Sequence, residues 1–568
     1  MIFNLLVKIT RFEAKMLNRK NLSNIKDPFG CQTSVLLKKL RNSQFSDYGK
    51  KHGFSSIKNT DDYRAAVPIN TYSDLKPYIQ KTLNGDVSAL FNPGEKILMF
   101  AMTSGTTDAC KYIPVTQSFL DEYKRGSLMW GMQAVDDHLD ILRTKILAIV
   151  SHFDEQRSPG NIPCGSISGL AVATQKRIAR LIYALPYWVY AIADQDAKYY
   201  TILRLALAES DIGLVTTANP STLIKLAKCA DKHKESLIRD IHDGTFATAK
   251  HLSTSHIKGL KNHIRKNPVR ARLLSAIAEQ NDSFYPRHFW DKMVLLATWK
   301  GGVLGHYIDM LPDFYGSLPV RDLGLIASEG RMSIPHHDQG ADGVLDIASH
   351  FFEFIPEEEY ETENPRTLLC HELEKGRKYY LILTNSAGYF RYDINDLIEV
   401  TDFFEQTPVI HFLNKGKHIS SLTGEKVSEH QVASALRNTL QELGISLNLF
   451  TVCPRWDEVT AHYDILVEND AWLNQVDTSD FITIFDTSLQ SLNLEYKAKR
   501  DSQRLGPPRL CVVSKGTFAK IREEKHTQSQ GRTEQYKHVY LNPTVDYYQN
   551  FTILKEIKTS DERQTTSR

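Results

Sequence analysis

The stretch that most limits what this chain can fold into runs from Phe100 to Thr116, FAMTSGTTDACKYIPVT, where an apolar run breaks into hydroxyl residues around one glycine. Ile97 to Ala101 reads as a strand, and Phe119, Leu120 and Tyr123 share one face of a following helix, so the unit is strand, loop, helix. Such a loop can turn successive backbone N–H groups towards one anion, because Gly105 tolerates the angles required. Thr103, Ser104, Thr106 and Thr107 add hydroxyls and Lys111 a point charge, a set suited to phosphate. The pattern is not G-x-x-x-x-G-K-[ST], since no lysine follows the glycine directly, and an ordinary P-loop ATPase is disfavoured. A Ser/Thr-rich turn that binds nothing is the other reading of these residues alone.

Short continuous apolar runs recur at Lys145 to Val150, Leu214 to Ala218 and Met293 to Thr298, as in strands buried on both faces. Asn219-Pro220 caps and starts one helix carrying Leu223, Leu226, Ala230, Leu237 and Ile241 on one face, with Gly244 as its stop. Strand and helix keep alternating, which predicts an α/β fold with mostly parallel sheets flanked by helices. Phe351 to Pro356, FFEFIP, alternates aromatic and acidic residues and predicts a half-exposed strand. Tyr379 to Thr384 predicts another, followed by GYFRYDINDLIEV from Gly388 to Val400. Helical spacing covers Phe12 to Gly53 at the start of the chain.

A chain of 568 residues exceeds one hydrophobic core. Charge and small residues crowd together between Asn414 and Glu425, which predicts a hinge and divides the chain into a domain of residues 1–416 and a smaller α+β domain of residues 417–568. The second has an amphipathic helix at Glu429 to Leu443, strands at Leu447 to Cys453, Thr460 to Val467 and Arg509 to Val513, and a helix at Asp480 to Leu492. Arg522 to Gln535 holds no large apolar residue and reads as a mobile loop, and the last ten residues as a frayed tail.

A net charge of +2, from 69 basic and 67 acidic residues, gives no electrostatic case for nucleic acid. Seven scattered cysteines, never spaced as C-x-x-C, fit reduced thiols in a cytoplasmic compartment and argue against a disulfide framework or a zinc site. No apolar run reaches membrane-spanning length, and MIFNLLVKIT lacks the order of a signal peptide. His336-His337-Asp338 has no further ligand spacing and reads as a solvent-exposed loop.

Six separated pieces, TSGTTDACKYIPVT, the ASEG ending at Gly330, FFEFIP, YFRYDINDL from Tyr389, SSLTGEKVSE from Ser420 and QYK from Gln535, together resemble the adenylate-forming superfamily. More narrowly, they resemble the Gretchen Hagen family of auxin-responsive acyl-acid amido synthetases and its bacterial relatives. The resemblance spans about residues 30 to 540 and implies a large domain binding ATP and an acyl acid, plus a mobile C-terminal domain. It implies ATP and Mg2+ as cofactors, a small-molecule carboxylic acid and an amine, usually of an amino acid, as substrates, and no nucleic-acid or membrane partner.

On this resemblance Thr103, Ser104, Gly105, Thr106, Thr107 and Lys111 hold the ATP phosphates, with Ser328 beside Glu329, the magnesium carboxylate. Leu325 stands where many relatives have the tyrosine that stacks on adenine. Asp396 fits the acceptor of both ribose hydroxyls, with Asp393 and Asp402 as local competitors. Arg391 matches a group that orients phosphate or hinge, or forms an ordinary salt bridge. Lys426 matches a hinge or phosphate lysine, and Lys537 the catalytic C-terminal lysine. Asp108, Cys110 and Asn395 depart from the family, relatives often carrying glycine at position 395. A thiol acceptor such as coenzyme A, or a non-catalytic protein of this fold that only binds a ligand, are the competing functions.

Overall fold

The computed structural model describes residues 24–103, 110–175, 179–247, 252–301, 305–416, 419–445, 447, 449–457, 460–521, 539–545 and 547–559. The loop from Ser104 to Ala109, the start of the chain up to residue 23, the whole predicted loop Arg522–Gln535 with Lys537 after it, and the residues from 560 lie outside them. Two compact units are formed, one of Met1–Met102 with Tyr112–Asn414 and one of Thr103–Lys111 with Lys415–Arg568.

In the first unit, the predicted apolar runs become Lys145–Ile149, Ile212–Thr217 and Leu295–Ala297, and with Val320–Arg321 they form a four-stranded sheet whose neighbours are all parallel. Pro220 opens the helix after the second strand, and the Asn219 side chain accepts from Ser221 N–H at 2.9 Å. The helix expected to run unbroken to Gly244 is interrupted at His233 (φ −111°, ψ 14°) and resumes over Lys234–Asp243. Gly244 ends it at φ +70°, as the sequence predicts.

A larger six-stranded sheet runs in the order Ser333–Ile334, Asp342–Leu345, Thr407–Lys415, Tyr392–Phe404, Lys378–Thr384, Phe351–Pro356, with its recorded pairings antiparallel. FFEFIP is therefore an edge strand, but it is not half-exposed: all six residues are buried. The correction has a physical cause. Glu353 is neutralised where it stands by Arg391, whose Nε and Nη2 donate to the two carboxylate oxygens at 2.9 and 3.0 Å, and by Arg64 at 3.1 Å. A paired carboxylate can occupy a core position that an isolated one cannot. Around it Phe351, Phe352 and Phe354 join the main core with Leu36 and Leu40 of the helix Pro28–Ser43.

The second unit holds a four-stranded sheet, Phe450–Trp456, Ala461–Glu468, Arg509–Val513 and Ile553–Ile557, the middle pair parallel. Helix Glu429–Leu443 has the predicted bounds, and Ser428 and Gln431 close a capping box at its start. Glu425, fully buried, accepts from the N–H groups of Leu422 and Thr423 and from the Tyr463 hydroxyl, which anchors the end of the expected hinge to this unit. The last strand was not anticipated from the sequence, where only its two ends are apolar.

Glu353→Ala leaves two arginines facing a buried void. It is expected to lower the stability of the first unit by roughly 3–5 kcal/mol, seen as a lower denaturant midpoint. Asp402→Ala removes an exposed pair with Lys375 and an exposed hydrogen bond from Phe403 N–H, and should leave the midpoint nearly unchanged.

Candidate active site

Ligands of open parallel sheets bind beyond the carboxyl ends of the strands. There, after Val320–Arg321, the chain turns at Asp322 and enters a small hairpin in which Ala327 pairs with Gly330 and Ile326 with Arg331. Ser328 and Glu329 are its two-residue tip. The turn is pinned by the buried Asp322 carboxyl, which accepts from Lys300 N–H at 2.6 Å and from Gly324 N–H, and by the Trp130 indole donating to the Asp322 carbonyl at 2.8 Å. Burial pushes the Asp322 carboxyl up to about 6.

Gly330 has φ +154°, and a Cβ built there would lie 2.4 Å from His350 Nε2, so the hairpin rests directly on that imidazole. Burial, then the charges of Lys39 and Arg125, hold His350 well below the usual histidine range, so the ring is neutral. Behind it, buried Lys39 donates to Glu122 at 2.9 Å and to Ser386 at 3.1 Å. The Glu329 carbonyl accepts from Asn385 Nδ2 at 2.7 Å. Glu329 is only 4% exposed, yet among the described residues its carboxylate has no hydrogen bond or ion pair. Such an arrangement leaves a charge for a ligand.

Asn385 also orders the loop that follows, its Oδ1 accepting from Ala387 and Tyr389 N–H. The Tyr389 hydroxyl donates to the Tyr112 carbonyl at 3.1 Å, and Tyr112 N–H donates to the Tyr72 hydroxyl at 2.9 Å. Ser328 Oγ lies 3.5 Å from the Met102 carbonyl. The hairpin and this loop thus meet both stems of the hydroxyl-rich segment, whose strands are Ile97–Thr103 and Lys111–Thr116. Thr103 ends the first strand and half-buried Lys111 begins the second.

Asp396 reaches the same place by a bulge. Tyr380 pairs with Leu397 and Ile382 with Asp393, so Ile394, Asn395 and Asp396 together face the one residue Leu381. Asn395 takes φ +61°, a left-handed angle that glycine adopts freely and asparagine tolerates better than most residues. Asp396 is 3% exposed. Its charge and that of Glu329 both act on the Tyr392 phenol, which burial first, then Glu329, push well above the usual tyrosine range. The two carboxylates therefore share one buried neighbour.

The competitors have other roles. Asp393 accepts from Asn395 N–H and from the Tyr360 hydroxyl, each at 2.7 Å, and Asp402 pairs with Lys375 at the surface. Arg391 is a correction: its Nε, Nη1 and Nη2 donate to Glu353, to the carbonyls of Val67 and Arg64 and to Thr367, so all five guanidinium hydrogens are committed inside the fold and none remains for phosphate. Leu325 is half-buried against the main core, its N–H donating to Ser333 Oγ and its carbonyl accepting from Met332. Lys426 lies in the second unit at φ +44°, 3.8 Å from Glu495. The His336 to Asp338 segment is not simply solvated, since Asp338 accepts from Arg321 Nε and pairs with His138, and only His337 is exposed. Sequence reading missed Tyr360, Asn385 and His350; only the fold brings them to the bulge and hairpin.

Solved structures share the fold of this chain. The AtGH3.15 acyl acid amido synthetase in complex with 2,4-DB has a TM-score of 0.65 at 19% identity, covering 95% of this chain and 96% of that one. A 2-hydroxyisobutyryl-CoA ligase in complex with 2-HIB-AMP and CoA has a TM-score of 0.54 at 14% identity, covering 96% and 94%. Residues 20–320 match the GH3 family N-terminal domain, 343–415 its central domain and 430–544 its C-terminal domain, and the chain belongs to the GH3 family. It is 24% identical to the indole-3-acetic acid-amido synthetase GH3.3 of Arabidopsis thaliana over 515 residues, 86% of this chain and 85% of that protein. The probable indole-3-acetic acid-amido synthetase GH3.2 of Oryza sativa subsp. japonica is 24% identical over 526 residues, covering 86% and 84%.

Two outcomes are expected. Gly330→Ala forces the hairpin off His350 and should cost roughly 1–3 kcal/mol in thermal unfolding. The raised Asp322 carboxyl keeps its proton in the fold but loses it near 3.8 when unfolded. Its contribution is thus full below about pH 4 and is lost as pH rises through about 6. The stability difference between wild type and Asp322→Asn should fall by roughly 3 kcal/mol between those limits.

Proposed function

We propose that this protein is an ATP-dependent acyl-acid amido synthetase. In the first half-reaction a carboxylate oxygen of the acid attacks the α-phosphorus of ATP, the bond to the β-phosphate oxygen breaks, and pyrophosphate leaves. In the second, a neutral amine attacks the carbonyl carbon of the acyl-adenylate; AMP leaves with the electron pair of the broken C–O bond, and the nitrogen loses a proton. Activation must come first because a free carboxylate would have to expel oxide.

The observation that carries this reading is the nearly buried Glu329 carboxylate, without a partner among the described residues, sharing Tyr392 with Asp396 beside the stems of the hydroxyl-rich loop. One hard oxygen donor fits Mg2+, which takes one or two carboxylates and completes its shell from phosphates and water. No group of three or more His, Cys, Asp or Glu suited to hold a metal occurs among the described residues, so a site built entirely from protein ligands has no support. When bound, Mg2+ supplies charge neutralisation at the phosphates. Asp396 accepts the ribose hydroxyls, Thr103 to Thr107 with Lys111 and Ser328 hold phosphate oxygens, Leu325 covers the adenine, and Lys537 of the C-terminal domain, residues 417–568, stabilises charge on the phosphoryl group as that domain moves between the half-reactions. Lys426 serves the hinge. The product is an amide, in keeping with the names of the relatives, and the family resemblance makes the amine that of an amino acid. The compartment is the cytoplasm: none of the seven cysteines forms a disulfide, and no described helix is long and apolar enough to cross a membrane.

Magnesium-dependent pyrophosphate exchange with a panel of carboxylic acids tests the first step. Glu329→Gln should lower the exchange rate about 100-fold, the size of effect seen when a charge aimed at the transition state is removed. Stoichiometric AMP release with amino acids supports the amide-forming step, and release only with coenzyme A would replace it by thioester formation. No exchange with any acid, together with no AMP-induced rise in melting temperature, would leave a binding protein.

A further inference from the structure

Tyr360 lies outside every motif read from the sequence, in the acidic stretch EEEYETEN. The turn Glu357–Glu359 that follows the edge strand brings it over the six-stranded sheet, where its ring stacks on Tyr380 with centroids 3.5 Å apart and planes 14° from parallel. Tyr380 is the last regularly paired residue before the bulge, opposite Leu397. The Tyr360 hydroxyl is 2.7 Å from Asp393 Oδ2 and 3.1 Å from Asn395 Oδ1, both acceptors, while Asp393 Oδ1 accepts from Asn395 N–H at 2.7 Å. One phenol proton can be donated only once. It goes to the nearer, charged Asp393 carboxylate, with the Asn395 side-chain oxygen as the second acceptor within reach of the same hydroxyl.

The bulge needs such a clamp. Three residues opposite one cannot all join the ladder, and Asn395 is held at a positive φ. The described contacts close a ring from Asp393 through Tyr360 to Asn395, and Asp396 is the next residue along the chain.

We infer that Tyr360 is a positioning residue for nucleotide binding: its hydroxyl fixes the Asp393–Asn395 bulge and thereby aims the Asp396 carboxylate at the ribose. This rests on the ribose role proposed for Asp396. Burial, then Asp393, raise the Tyr360 phenol far above its usual range, so it stays a donor at any working pH.

The test compares binding of ATP and 3′-deoxy-ATP, with Mg2+, to the full chain by titration calorimetry, alongside nucleotide-free melting temperatures. Tyr360→Phe keeps the ring on Tyr380 and removes only the hydroxyl. It should weaken ATP binding roughly tenfold, as for a lost hydrogen bond to a charged group, and bring the two affinities within about twofold of each other. The affinity ratio is independent of how much protein is folded. If Tyr360→Phe keeps the wild-type ratio while Asp396→Ala loses it, whether or not the melting temperature falls, the positioning role is overturned and the ribose role stands. If wild type binds the two nucleotides equally, or Asp396→Ala keeps the ratio, the ribose role falls and takes this inference with it.

Discussion

The pair between Arg391 and Glu353 decides where the rest of the site can stand. Arg391 sits at φ +43° at the end of the loop that Asn385 orders and one residue before the strand Tyr392–Phe404. Its guanidinium grips Glu353 of the edge strand and the carbonyl ends of the Thr60–Ala66 helix region in one move. Asn70 continues the grip, its N–H donating to the Arg391 carbonyl and its own carbonyl accepting from Asp393 N–H, both at 2.8 Å. Tyr389, Tyr392 and the bulge therefore start from a fixed point. Removing either charge exposes the other to the full desolvation penalty, so the two are retained or lost together.

From that point the site is assembled by backbone more than by side chains. The hairpin tip is held through the carbonyl of Glu329, the loop stem through the carbonyl of Tyr112, and the bulge through the N–H of Asn395. The carboxylate of Glu329 is thus presented without being consumed by the contacts that place the main chain around it. Burial keeps the surrounding phenols of Tyr360, Tyr389 and Tyr392 protonated, which avoids adding negative charge where two carboxylates already stand.

Local signals in the sequence were enough for the parallel strands, because a continuous apolar run such as KILAIV has few other uses, and for the helix beginning at Glu429, whose caps and stripe agree. They were not enough where a residue's environment comes from far along the chain. FFEFIP read as half-exposed because Glu353 carries a charge, and the arginine that neutralises it lies 38 positions away. Arg391 looked available for phosphate for the same reason. Tyr360 was invisible among glutamates, since its partners are on another strand. The extra α+β detail of the second unit, including Ile553–Ile557, depends on pairing with Arg509–Val513 rather than on its own pattern, which is apolar only at its ends.

The floor beneath Glu329 has a consequence for how such a protein can change over evolutionary time. A side chain at 330 would collide with His350, and enlarging or charging His350 would collide with Gly330 or with the Lys39 and Glu122 pair behind it. Drift at either position is blocked by the other. The hairpin that carries Glu329 can accordingly change at this point only by a paired substitution at 330 and 350.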